Sequence, residues 1–205
     1  LAAVGVGAAV LLPVDVELGA EDVGEDERPD VESDAVVKIW LPADRLHGGP
    51  FGDYVLSVGR LEQVKRVHLA IAALAHTTPP LRLVVAGAGT GRIDLERLAR
   101  ERGVDDRVHF LGEVDDDALI DLYAGALAVI FPPYDEDFGY VTLEAFLSGK
   151  TLITTNDTGG VLEFATPESG FIGEPTPEGL GAEMARAWNT PTSRLGEMAE
   201  VGRRK

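Results

Sequence analysis

The chain has 205 residues, enough for one domain with a hydrophobic core and some additional segments. Its formal net charge is −17, which argues against sequence-independent nucleic-acid binding because an acidic surface repels phosphate backbones. It has no cysteine, so disulfides, thiolate nucleophiles and cysteine-ligated metal sites are excluded. We expect a cytoplasmic globular protein.

The first 49 residues are expected to lie outside the main domain. Residues 1–14 are uncharged but shorter than the roughly 20 residues that cross a bilayer, and they lack the basic start of a signal peptide. We interpret them as a strand that belongs to a preceding domain. Residues 15–34 hold ten acidic side chains against Arg28, which predicts an acidic linker or insertion. Proline and glycine at 42–52 predict a domain boundary near residue 50.

From residue 50 onward, short apolar runs alternate with segments of helical periodicity. The runs predict six strands, at 54–58, 81–86, 108–111, 127–131, 152–155 and 170–173. The helical segments between and after them lie at 64–74, 93–102, 115–123, 140–147, 161–164 and beyond 177. A weaker apolar run at 35–41 could form one more short strand.

Strands that alternate with helices need crossover connections. The predicted fold is therefore α/β, a doubly wound, Rossmann-like parallel sheet of about six strands with helices on both faces, at residues 50–205. In such a sheet the ligands bind at the carboxyl ends of the strands, so the turns that follow the strands are the places to look for a site.

The turn after the first predicted strand combines glycine with cations. Gly59 would let a ligand approach the backbone, and Arg60 and Lys65 would place positive charge where a diphosphate could lie. A solvated helix start whose cations pair with surface acids explains the same pattern.

The turn after the second predicted strand resembles a dinucleotide-binding fingerprint. Gly87, Gly89 and Gly91 follow an apolar run, but Arg92 occupies the place of the third glycine of G-x-G-x-x-G. A tight glycine turn into a helix accounts for it. The alternative is an NAD(P)-binding oxidoreductase module in which Glu113 would bind a ribose.

The turn after the fourth predicted strand contains two glutamates eight residues apart. In one continuous helix Glu136 and Glu144 would be separated by a rise of about 12 Å and could not contact one small ligand. If the helix begins near Phe138 or Gly139, Glu136 lies in the loop and Glu144 one turn inside the helix, and the first amide groups face an anion. This arrangement suits a ligand with hydroxyls and phosphates, such as a nucleotide-sugar, although acidic helix capping explains it too.

Three stretches together resemble the C-terminal donor-binding domain of GT-B-fold retaining glycosyltransferases of the family 4, or group 1, type. They are GDYVLSVGRLEQVKRVHLAIAAL, LRLVVAGAGTGRIDLERLARERGVDDRVHFLGEV and DEDFGYVTLEAFLSGKTLITTNDTGGVLEFATPESGFIGEPTPEGLGAEM. The resemblance runs from about Gly52 to Trp188. It implies transfer of a sugar from a nucleoside-diphosphate sugar, with retention at the anomeric carbon and without an obligatory metal or other cofactor.

The resemblance also implies roles for individual residues. Arg60 and Lys65, beside Gly59, would bind the donor diphosphate, Glu136 the hydroxyls of the transferred sugar and Glu144 the ribose. The donor phosphate and sugar would lie along the backbone of four residues: Phe138, Gly139, Tyr140 and Val141. The base would lie beside the segment that contains Phe110 and Leu111.

Departures from the family pattern leave other functions open. Gln63, Thr151 and Val161 stand where proline or another turn residue is frequent. The amino-terminal acceptor domain, the expected partner, is not in this sequence, so the chain alone could bind donor without transferring sugar. A non-catalytic interaction domain, a transferase that uses a metal on Asp135 and Asp137, and peripheral association with a membrane remain alternatives.

Overall fold

The structure is a computed structural model that describes residues 41–77 and 81–205. The predicted strand remnant at 1–14, the acidic stretch at 15–34 and all but the last residue of the possible strand at 35–41 lie outside these residues. The described residues form six strands: β1 Tyr54–Val58, β2 Arg82–Ala86, β3 Val108–Gly112, β4 Ala128–Ile130, β5 Thr151–Thr155 and β6 Gly170–Gly173. Seven helices accompany them in the described residues: α1 Val67–Leu74, α2 Arg92–Arg102, α3 Asp116–Gly125, α4 Tyr140–Leu147, α5 Val161–Phe164, α6 Pro177–Asn189 and α7 Thr192–Arg203.

All strands of the sheet are parallel, in the order β3-β2-β1-β4-β5-β6. This is the doubly wound Rossmann order, and it confirms the predicted fold class. The order reverses between β1 and β4, which pair with Val55 opposite Ala128 and Leu56 opposite Val129. The loops that follow these two strands leave the sheet in opposite directions and open a crevice, which is where such sheets bind ligands.

The core forms one cluster on each face of the sheet, because neighbouring residues of a strand point to opposite faces. Val55 packs in the cluster that includes Ile71 of α1 and Leu180 of α6, whereas Leu56 packs with Tyr123 of α3 and Phe146 of α4. Both clusters are closed to solvent. The strands of the crevice are therefore held rigidly from both sides.

The packed domain includes residues before the predicted boundary near residue 50. Leu41 and Leu46 are buried in the same cluster as Leu56. Lys150, the residue before β5, is also buried, and its ammonium group donates to the backbone oxygens of Gly49 and Pro50, each at 3.0 Å. Residues 41–50 are thus part of this domain's packing.

The start of α3 follows from local sequence, whereas that of α1 does not. The Asp115 carboxylate accepts a hydrogen bond from the Ala118 amide and caps α3, as its position predicts. The prediction for α1 was wrong at its start: a short 3₁₀ turn spans Gln63–Lys65, and α1 begins only at Val67 because Arg66 has a left-handed backbone with φ 49°. Val64 consequently lies outside the helix, exposed beside the crevice.

No helix among residues 41–77 and 81–205 is long and apolar enough to cross a membrane.

Candidate functional site

The crevice between β1 and β4 brings Lys65 and Glu136 together. Lys65 lies in the 3₁₀ turn after β1, and Glu136 lies in the loop between β4 and α4. The Lys65 ammonium forms an ion pair with the Glu136 carboxylate, and both side chains are about one-fifth exposed. Residues 71 positions apart thus meet at one edge of the sheet, as the sequence predicts for turns that follow neighbouring parallel strands.

The loop after β4 ends where the prediction places it. Gly139 has φ 67° and precedes α4, so Glu136 lies in the loop and Glu144 inside the helix. A Cβ atom at position 139 would lie 2.8 Å from Val161 Cγ2 and 3.0 Å from Phe131 Cε1, so only glycine fits this backbone without strain. Helix geometry directs the amide groups of the first turn of α4, including those of Tyr140 and Val141, toward the crevice.

Aromatic rings lie at the start of α4. The Phe138 ring packs against the rings of Tyr140, at 4.9 Å between centroids, and Phe164, at 5.4 Å. Phe138 is nevertheless 42% exposed, an unusual state for a phenylalanine in a packed domain. Its backbone is predicted to border the donor, and the exposed ring is free to contact a ligand.

Arg60 lies at the same edge but does not contact the Lys65–Glu136 pair. Its guanidinium forms an ion pair with Glu62 at 2.8 Å, and the side chain is 55% exposed. Gly59 beside it has φ 138°, and a Cβ atom there would meet nothing within 4 Å, so the backbone at this point borders open space. Arg60 could swing across this space, because an exposed ion pair is weak.

Arg66 is a component of the site that no sequence pattern predicted. Its guanidinium donates to the backbone oxygens of Pro132 at 2.7 Å and Pro133 at 2.6 Å, in the loop after β4. It also donates to Thr155 Oγ1 at 2.8 Å and to both carboxylate oxygens of Asp157, at 2.7 and 2.8 Å, at the end of β5 and in the loop that follows. Hydrogen bonding from Arg66 holds the pKa of the Asp157 carboxyl below its ordinary value.

Backbone hydrogen bonds join the loop after β4 to the loop after β5. The Glu136 amide donates to Thr158 O at 3.1 Å, and the Glu136 carbonyl accepts from the Gly160 amide at 2.8 Å. Glu136 also forms a parallel bridge with Gly159. The backbone of Glu136 is therefore fixed from its neighbouring loop, independently of Lys65.

Glu144 is buried, in contact with two parts of the domain. Its Oε1 accepts from the Leu41 amide at 2.8 Å and its Oε2 from the Tyr123 hydroxyl at 2.7 Å. Burial raises the pKa of the Glu144 carboxyl above its ordinary value of 4.5, and these two hydrogen bonds offset part of the rise. Each oxygen keeps a second lone pair, so the carboxylate retains the capacity to accept from a ligand hydroxyl.

Tyr123→Phe is expected to destabilise the domain more at high pH than at low pH. The hydroxyl favours the charged form of Glu144, so its loss raises the Glu144 pKa further. At pH values between the Glu144 pKa of the wild type and the higher Glu144 pKa of the variant, the folded variant holds more protons than the folded wild type. The stability of the variant therefore falls more steeply as pH rises. We expect a loss of about 1 kcal/mol near pH 5 and about 2 to 3 kcal/mol near pH 8, measured by urea unfolding.

Tyr54→Phe is the matched control for this prediction. It removes the same group, but the Tyr54 hydroxyl donates to a backbone carbonyl, Leu122 O, at 2.7 Å. Burial raises the pKa of Tyr54 to about 12, far above the range tested. The loss of stability in Tyr54→Phe should therefore be the same at both pH values. A loss of stability in Tyr123→Phe that likewise does not change with pH would contradict the charged contact with Glu144.

The glycines of the turn after β2 pack against the turn after β1. A Cβ atom at Gly87 would lie 2.0 Å from Gly59 O, and one at Gly89 would lie 2.7 Å from the Leu61 amide nitrogen. Backbone hydrogen bonds join the turns, among them Leu61 N to Ala88 O at 2.9 Å. These glycines thus serve close approach of two protein segments, which accounts for them without a dinucleotide.

Phe110 and Leu111 lie in β3, at the edge of the sheet. The Phe110 ring is half-buried against the core and lies 5.9 Å from the Arg92 guanidinium, while Leu111 is 41% exposed. Two strand spacings, about 10 Å, separate β3 from β1. Phe110 and Leu111 therefore lie on the strand two places from β1, the strand whose following turn carries Lys65.

Asp135 and Asp137 lie on either side of Glu136 in the loop after β4. In the part of the chain that the structure describes, no group of three histidine or acidic side chains comes close enough to hold an ion. Asp135 has a left-handed backbone, with φ 46°, in the loop that carries Glu136.

Comparison with known proteins identifies relatives of the domain. Residues 52–204 match the family model for glycosyl transferases group 1. Glycogen synthase of Mycobacterium tuberculosis is 42% identical over 105 residues, which are 50% of this chain and 25% of that protein. D-inositol 3-phosphate glycosyltransferase of Acidothermus cellulolyticus is 30% identical over 184 residues, 78% of this chain and 40% of that protein.

A solved structure of similar fold is that of Anabaena Alr3699/HepE in complex with UDP. It superposes with a TM-score of 0.66 at 25% identity, over 75% of this chain and 43% of that one. The chain thus spans less than half the length of these relatives. The family match covers the whole sheet and every loop of the crevice, and the chain belongs to the group 1 family of glycosyl transferases.

Proposed function

We propose that this domain is the donor-binding half of a retaining glycosyltransferase, which takes a sugar from a nucleoside-diphosphate sugar. The observation that carries the proposal is the meeting of Lys65 and Glu136 beside the start of α4, at the point where the strand order reverses. A cation and a helix start provide for the diphosphate, and a carboxylate provides for sugar hydroxyls.

The order of the strands that carry these parts supports a donor bound along their carboxyl ends. The base would lie near Phe110 and Leu111, the ribose would reach Glu144, and the diphosphate would lie near Gly59, Arg60 and Lys65. The relatives support this class of ligand, since one is a glycosyltransferase and the solved structure of another is in complex with UDP.

The chemistry follows from where charge develops. As the bond between the anomeric carbon and the phosphate oxygen breaks, negative charge grows on the leaving diphosphate. Lys65, Arg60 and the amides at Gly139, Tyr140 and Val141 would stabilise that charge, and Glu136 would hold the sugar so that it faces the acceptor. The acceptor would be bound by a second domain, on the amino-terminal side.

Calorimetric titration of the folded chain with UDP, GDP and ADP sugars tests the proposal. We expect one of them to bind, with the matching nucleoside diphosphate as a competitor. Absence of binding by all three, in a chain that unfolds cooperatively, would contradict the proposal. NADH is titrated in parallel, and binding of NADH alone would favour the oxidoreductase alternative.

A further inference from the structure

We propose that Arg66 is a positioning residue that holds Lys65 in place for the diphosphate, with Asp157 as its anchor. The inference rests on the proposed function of this crevice, because it assigns Lys65 to the donor. The contacts of Arg66 among the three loops do not depend on that function.

The backbone of Arg66 is the first observation. A left-handed backbone, here with φ 49°, is uncommon for a residue with a side chain, and glycine or asparagine adopts it more readily. Its amide donates to Gln63 O at 3.0 Å and closes the 3₁₀ turn that contains Lys65. The direction in which Lys65 leaves the backbone thus depends on the conformation of Arg66.

The side chain of Arg66 is the second observation. It makes five hydrogen bonds, to four residues on two neighbouring loops, and it is only 13% exposed. The guanidinium has the planar donor geometry that is needed to bind both oxygens of Asp157 and two backbone oxygens at once. An ammonium group does not reproduce this geometry.

These contacts form a closed circuit around the Lys65–Glu136 pair. Arg66 binds Asp157, the next residue Thr158 accepts from the Glu136 amide, and Glu136 pairs with Lys65, the neighbour of Arg66. Both members of the ion pair are therefore anchored to the same segment. Removing the guanidinium releases the Lys65 turn from Asp157 and from the backbone oxygens of Pro132 and Pro133. The Glu136 backbone keeps its contacts with the loop after β5, and the Val64 carbonyl still accepts from the Tyr134 amide.

The four lysines of the chain give a direct readout of this circuit. We propose incorporation of lysine labelled with ¹³C at Cε during expression, which leaves the ammonium groups unmodified, and recording of the Cε signals of the whole chain by NMR. Lys65 reports on the ion pair. Lys150 reports on the fold, because its ammonium lies 4.2 Å from the centre of the Phe51 ring. This contact lies at the amino end of β5, away from the crevice. Lys205 represents an exposed lysine.

Arg66→Gly is the main variant, since glycine keeps the left-handed backbone and removes only the side chain. We expect the Lys65 signal to move to the position of an exposed lysine while the Lys150 signal stays. Arg66→Lys keeps the charge and Asp157→Asn removes the anchor, and both should move the Lys65 signal in the same direction. Arg194→Gln, which removes an exposed ion pair with Glu197 in α7, is the control and should move neither.

Ligand binding is the second readout, with UDP, GDP and ADP as probes and their nucleosides as references. In Arg66→Gly we expect the diphosphate to bind about tenfold more weakly, with nucleoside binding changed by less than about twofold. An unchanged Lys65 signal in the folded variants would overturn the positioning role. If the wild type binds none of the probes, the proposed function fails, while the Lys65 signal still decides the structural claim.

Discussion

Lys65→Ala is expected to weaken binding of the nucleoside diphosphate by about 100-fold, the largest effect on ligand binding that we anticipate. Two losses combine. The diphosphate loses a charge-assisted contact, and Glu136, which Lys65 neutralises in the unliganded crevice, is left as an unpaired negative charge beside the phosphates. In a chain of net charge −17 no general attraction for anions compensates.

Glu136→Gln should have a different signature. It removes the carboxylate that competes for Lys65, so the diphosphate should bind equally well or more tightly. The additional affinity of the nucleotide-sugar over the diphosphate should disappear, because the acceptor for sugar hydroxyls has changed. The double variant should lose less diphosphate affinity than Lys65→Ala alone, since the unpaired charge is gone.

Calorimetry with the best-bound of UDP, GDP and ADP, and with its nucleoside, measures these differences. The nucleoside should bind every variant within about twofold of wild type, because it lacks the phosphates. Lys205→Ala, which removes an exposed lysine at the end of the chain, is the matched control for charge. Equal losses of nucleoside and diphosphate on Lys65→Ala would contradict the assignment of Lys65 to the phosphates.

Gly160→Ala is expected to lower the free energy of unfolding by about 3 kcal/mol or more. The loops after β4 and β5 approach so closely that a Cβ atom at position 160 would lie 2.1 Å from the backbone oxygen of Asp137 and 3.2 Å from that of Glu136. Backbone atoms in a hydrogen-bonded loop pair do not move aside easily. The loops must separate, which displaces Glu136 as well.

Gly196→Ala is the matched control, with the same chemical change and the opposite expected sign. Gly196 lies inside α7, and a Cβ atom there meets nothing within 4 Å. Alanine should stabilise the helix by up to about 1 kcal/mol. Thermal unfolding should place Gly160→Ala roughly 10 °C below wild type and Gly196→Ala slightly above it. Similar melting temperatures for the two variants would contradict the close packing of the loops.

The sequence predicted the six strands because each is a short apolar run bounded by turn residues, and the observed bounds of β1 to β6 differ from the prediction by one residue at most. It missed the start of α1. The apolar spacing of Val64 with Val67 and Ile71 continues through Arg66, but periodicity carries no information about a left-handed residue that is held by contacts 66 to 91 positions away.

The residues of the candidate site also fall into those that the sequence predicted and those that it did not. Lys65 and Glu136 were predicted to meet because they follow strands that a doubly wound sheet places side by side. Arg66 was visible only as a third cation in the same turn, and Asp157 only as one residue of a strand-to-helix connection. Neither position has a spacing that predicts an ion pair, because the pair joins two loops that are adjacent only in space.

The order of apolar runs, the turn glycines and the few cations in an acidic chain determined by themselves the fold class and the edge of the sheet at which a ligand would bind. The tertiary structure decided how the side chains share that edge: Glu136 pairs with Lys65, Glu144 is buried against Tyr123 and the Leu41 amide, and Arg66 joins three loops. The physical reason is the separation along the chain of the residues that interact. Hydrophobic periodicity is a local property of the chain, whereas hydrogen bonds and ion pairs between loops exist only after the sheet has brought distant residues together.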